Sequence, residues 1–74
     1  MSAKTSVYHQ VEAALDFSAG VHAAAVKLYE SKIPPTQAQI SILSDCVDEL
    51  HEFGQHVFAH VLDDLMVEWA GLLL

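Results

Sequence analysis

The chain has 74 residues, 53% of them hydrophobic, a single cysteine and a formal net charge of −7. At that length it forms one domain, residues 1–74, burying only about 60% of its unfolded surface, and one cysteine excludes both an internal disulfide and a multi-cysteine zinc motif. Association with a second copy is therefore the expected support for so small and so apolar a chain, and a homodimer the expected state.

The charge is unevenly placed. All three lysines (Lys4, Lys27 and Lys32) precede the prolines and are balanced there by Glu12, Asp16 and Glu30, whereas seven acids and no Lys or Arg follow Pro35. Phosphate recognition needs cationic side chains to displace counterions, so direct nucleic-acid binding is not expected. The same deficit argues against an anionic membrane surface. MSAKTSVYHQ lacks the apolar run of a signal peptide. Asp63, Asp64 and Glu68 break the most apolar region before it reaches the roughly 20 residues of a membrane span. A cytoplasmic protein with no membrane contact is the expectation.

The first predicted element is a helix over about 6–31. Val11, Leu15, Ser18, His22, Ala25, Tyr29 and Ile33 make one stripe along it, and Ala14, Phe17, Val21, Ala24 and Leu28 make a second beside the first. Together they span more than half the circumference, wider than the face of an ordinary surface helix. A single partner helix covers one stripe; a second hairpin is needed for the other. His22 falls within the first stripe, where a buried imidazole needs a hydrogen-bond partner such as a carbonyl or Ser18. An interior ligand or a pH switch is the functional alternative there.

SKIPPTQAQ then ends that helix. Pro34 disfavours helix at Ile33 and cannot continue one, so the turn occupies 32–35. Thr36 and Gln39 fit a capping box that opens the next helix.

That second helix is expected to run unbroken over about 37–70. Ile40, Leu43, Val47, Leu50, Gly54, Val57, Val61 and Leu65 recur at spacings of three and four, and Cys46, Phe53, Phe58, Leu62, Trp69 and Leu72 widen the stripe. Gly54 inside the stripe suggests either a close backbone approach or a mildly bent helix. At 1.5 Å per residue the two helices measure about 39 and 51 Å, so the last turns of the second should overhang the first. The fold class is thus all-α: an antiparallel helical hairpin pairing into a four-helix bundle. The expected core and dimer positions are Val11, Leu15, Phe17, Val21, His22, Leu28 and Tyr29 on the first helix. On the second they are Leu43, Val47, Leu50, Gly54, Val57, Val61 and Leu65.

Wound as one helix, Asp45, Glu49, Glu52, His56, His60 and Asp63 form a polar line with each neighbour in side-chain reach. The bland reading is a solvated face. A metal reading uses Glu52, His56 and His60, because imidazole and carboxylate suit zinc, iron or nickel. His51 to His56 is not a metalloprotease pair, since a spacing of five sets the two about 140° apart on a helix. Cys46 has no nearby cation to support a thiolate, and no phosphate loop or nucleophile elbow occurs, so no enzymatic activity and no cofactor are expected.

The leading function is that of a small acidic regulator that binds an unidentified protein through its helical surface. Asp48, Glu49 and Glu52 would face a basic partner, and Trp69, Tyr8, Tyr29 and Phe58 are candidate aromatic anchors. The alternatives are a metal-binding bundle and an acidic mimic that blocks a nucleic-acid-binding protein. The helix, Pro-containing turn and helix resemble in outline the small hairpin components and chaperones of secretion systems, a likeness of architecture that assigns no site residue.

Overall fold

The computed structural model describes residues 3–74, with side chains from Tyr8 onward. Its elements are α1 (Ala3–Glu30), α2 (Gln37–Glu52), α3 (His56–Ala70) and a terminal 3₁₀ turn, Gly71–Leu73, with no strand among the described residues. No helix among those residues is long and apolar enough to cross a membrane.

The end of α1 and the start of α2 follow from local chemistry. Lys27, Leu28 and Tyr29 carbonyls accept from Ser31, Ile33 and Lys32 respectively. The Leu28 and Tyr29 bonds are the paired bonds of a Schellman end. Lys32 takes the left-handed position at φ 61°, which for a residue with a Cβ costs about 1–2 kcal/mol. The prolines then forbid further helix, and Pro35 is buried in the turn. Thr36 caps α2 as its spacing implies: its hydroxyl accepts from the Gln39 amide at 3.2 Å, and Gln39 Oε1 accepts from the Thr36 amide at 2.8 Å.

The expected 37–70 helix is not continuous. It stops at Glu52 and restarts at His56, because Gly54 turns left-handed at φ 77°. The Gly54 amide donates to His51 and the Gln55 amide to Leu50 at 2.7 Å, a second Schellman end. No atom lies within 4 Å of a Cβ built on Gly54. The glycine is therefore there for its backbone conformation and not for a close contact.

Beyond the break, α3 folds back along α2, giving an up-down-up arrangement of three helices in place of a two-helix hairpin. Trp69, near the end of α3, donates its indole N–H to the Ile33 carbonyl at 2.6 Å and so ties that end to the α1–α2 turn. The overhang is reversed as well. The α2 and α3 rods are each about 23 Å long and α1 about 42 Å, and Gln10 already lies level with Phe53, so the turns of α1 before Gln10 project past the Gly54 end.

Ala25, Leu43, Cys46, Val47, Leu50, Ala59, Leu62 and Trp69 form the buried cluster. The break also rotates the inner face of α3. Ala59, Leu62 and Trp69 point inward, while Val57 and Val61, expected in the core, are 82% and 46% exposed. Gly54 lies at the exposed turn and not in the core. Leu15, Val21, Leu28, Tyr29 and Leu65 are partly buried against the cluster, and Val11 and His22 are half-buried. Among the described side chains of α1, Ala14, Ser18 and Ala25 alone are fully buried.

The outcome is an elongated body of 48 × 19 × 16 Å with a radius of gyration of 13.5 Å, against about 11 Å for a compact chain of this length. Its accessible surface is 5095 Å², whereas about 4,500 Å² is expected of a folded monomer of its mass.

Candidate interaction surface

Each of the two α1 stripes has a distinct fate. Ser18 and Ala25 of the first are buried, and the Ser18 hydroxyl is hydrogen-bonded to the Cys46 side chain of α2. His22 is half-buried with its ring edge toward Phe58 of α3, centroids 6.2 Å apart. Its aromatic neighbour is thus Phe58, and Ser18 is bonded to Cys46. Among the described residues no buried side-chain nitrogen or oxygen lacks a partner.

The second stripe is only partly covered: Ala14 is buried and Val21 and Leu28 are half-buried against the cluster, while Phe17 and Ala24 are exposed. Toward the turn, Val21, Ala24, Leu28, Ile42, Leu43 and Trp69 line an apolar hollow of about 130 Å³ between α1 and α2. Toward the Gly54 end, Gln10, Ala13, Ala14, Phe17, Glu49 and Phe53 line a shallower one of about 480 Å³, open to solvent. Their α1 residues share one stripe at spacings of three and four, and so do their α2 residues, which places both hollows on one face of the helix pair. Phe17 stands at the middle of that face, 61% exposed. Large aromatic side chains left in water are costly and uncommon outside contact sites.

The polar line is redistributed by the break. Asp45, Glu49 and Glu52 end up on α2, and His56, His60 and Asp63 on α3. All are exposed except Asp63, which is half-buried. Reversal of the chain instead brings in His51, which a continuous helix would have pointed away. His51 and His56 share a hydrogen bond between their Nδ1 atoms at 2.8 Å, and the His60 ring stands edge-on to His51 with centroids 5.5 Å apart. One imidazole of the bonded pair donates its proton and the other accepts, so the contact exists only while at least one ring is neutral. Among the described residues no three His, Cys, Asp or Glu side chains are placed to hold a metal ion; Glu52, His56 and His60 form no such group.

Asp48, Glu49 and Glu52 are exposed on the last turns of α2. Trp69, a candidate anchor by residue type, is only 2% exposed and belongs to the core. Tyr8 is exposed, while Tyr29 and Phe58 are half-buried against the cluster. Cys46 is buried. Its thiol is held above the ordinary thiol range by burial first, then by the Glu49 and Asp45 carboxylates, with the Ser18 hydrogen bond opposing them. A buried, protonated thiol is a poor nucleophile. The His51–His56 contact was not legible in the sequence pattern, because it depends on the left-handed turn at Gly54.

Comparison with protein-family models, with curated proteins and with solved structures returns no match to this chain.

Proposed function

We propose that the chain is a small, acidic, non-enzymatic interaction protein of the cytoplasm that self-associates and offers a helical surface to another protein. The observation that carries this reading is the uncovered apolar face of α1 and α2, with Phe17 at its middle. Two copies meeting there would bring α1 and α2 of each into a four-helix layer, with α3 outside it. The exposed Asp48, Glu49 and Glu52 would then face a basic partner surface and speed encounter at low salt. A soluble domain that exposes a continuous apolar groove does so for a contact.

Size-exclusion chromatography with light scattering, on protein isolated from the organism that makes it, tests the proposal. The wild type should run larger than one chain, alone or with a bound protein, and Phe17→Glu should run as a single folded chain. A wild type that is folded, monomeric and free of any companion rules the reading out.

A further inference from the structure

We infer that the occupant of the open face is a second copy of this chain, with the two α1 helices packed antiparallel about a two-fold axis between Phe17 and Gly20. The inference rests on the interaction reading above and gives it a partner and a register.

Along the exposed edge of α1, Gln10, Ala13, Phe17, Gly20, Ala24 and Lys27 recur at alternating spacings of three and four, the repeat of a helix–helix seam. The series is symmetric about its own middle. Turned end for end, Phe17 falls opposite Gly20, Ala13 opposite Ala24, and Gln10 opposite Lys27. The one aromatic ring of the series thereby meets the glycine. No atom lies within 4 Å of a Cβ built on Gly20, so the space beside it is vacant in the single chain and is of the kind a phenylalanine ring fills. The Ala13–Ala24 contacts on either side allow the two backbones to come close.

Charge selects the same direction. Glu49 lines the hollow beside Gln10 and Ala13. In the antiparallel register, Lys27 of the second copy lands opposite Gln10, within reach of that carboxylate. A parallel register instead stacks Phe17 on Phe17, leaves Gly20 facing Gly20 across a void, and sets Glu49 level with Glu49. Like charges so placed oppose association.

Sedimentation velocity on the full chain, together with directed cross-linking, tests the inference. The wild type should be a dimer. Gly20→Leu adds a good helix former where the single chain has room, so it should stay helical by circular dichroism while self-association weakens about tenfold or more. Gly20→Ala should still dimerise. In a Cys46→Ala background, Ala13→Cys mixed with Ala24→Cys should cross-link on mild oxidation, and Ala13→Cys alone should not. A monomeric wild type overturns the inference and the self-association in the proposed function, but leaves the face free for a different protein, so the protein-binding half of that reading survives. A dimer indifferent to Gly20→Leu overturns it too, as does cross-linking of Ala13→Cys by itself.

Discussion

His51 and His56 illustrate how much a single backbone dihedral decides. Five residues apart on one helix, they would point about 140° from each other. With Gly54 left-handed between them, their Nδ1 atoms lie 2.8 Å apart. A hydrogen bond of this kind near the surface contributes about 0.5–1.5 kcal/mol. In a double-mutant cycle, His51→Ala and His56→Ala should therefore show a coupling of that size, measured by urea unfolding at neutral pH. Zero coupling at neutral pH means that the rings do not meet in solution. Cys46 is the other residue whose environment dictates behaviour. Its folded-state pKa lies above that of the unfolded chain because of burial. The stability tied to the neutral thiol is thus intact below the ordinary thiol range and is lost as pH rises through the raised folded value. A disulfide reagent should label Cys46 far more slowly in the native protein than in urea, and labelling at the unfolded rate means that the α1–α2 interface is open.

At the scale of elements, glycine substitutions separate two readings of the C-terminal half. If 37–70 were one helix, Gly54→Ala would stabilise it by roughly 1 kcal/mol, the usual glycine-to-alanine gain in a helix interior. With Gly54 at φ 77°, the added methyl instead costs about 1–2 kcal/mol. Gly20 lies inside α1 with free space around it, so Gly20→Ala should gain about what the propensity scale gives. Thermal unfolding of the two variants should shift in opposite directions; a shared upward shift restores the continuous helix. The first junction was legible in the sequence because prolines and a Thr36–Gln39 capping box are local signals with one physical meaning. The second was not. Leu50, Gly54, Val57 and Val61 keep the three-and-four rhythm straight through the break, and a lone glycine reads equally as a weak point in a helix and as its C-terminal cap. The rhythm described the chain but not the fold: once α3 reverses, Ala59, Leu62 and Trp69 line its inner face and Val57 is left in water.

For the whole molecule, the sequence carried the essential imbalance in the two α1 stripes, more apolar surface than one chain covers, with Phe17 of the second left in water. It could not say that the first would be covered by α2 and α3 together, since that depends on the Gly54 reversal. The consequence is a molecule whose cohesion is graded. Leu43, Cys46, Val47 and Leu50 of α2 are buried against Ala59, Leu62 and Trp69 of α3, whereas among its described side chains α1 contributes only small ones, Ala14, Ser18 and Ala25, to the fully buried set. Regions with few buried apolar contacts open at lower free energy than the core. In hydrogen exchange on dilute protein, the amides of residues 43–50 should therefore be slowest. Those of α1 before Gln10, which project past the other helices, should be fastest, with residues 13–27 between. Raising the protein concentration should then slow exchange selectively over residues 13–27, because self-association covers that stretch and adds its free energy to local opening there. Residues 43–50, already limited by unfolding of the core, should gain only what the dimer adds to global stability. Exchange over 13–27 that ignores concentration means that α1 is held by its own chain alone, and the open face then needs another explanation. Slowing at Val57 and Val61 instead transfers the contact to the outer side of α3, where this chain also leaves branched apolar side chains in water.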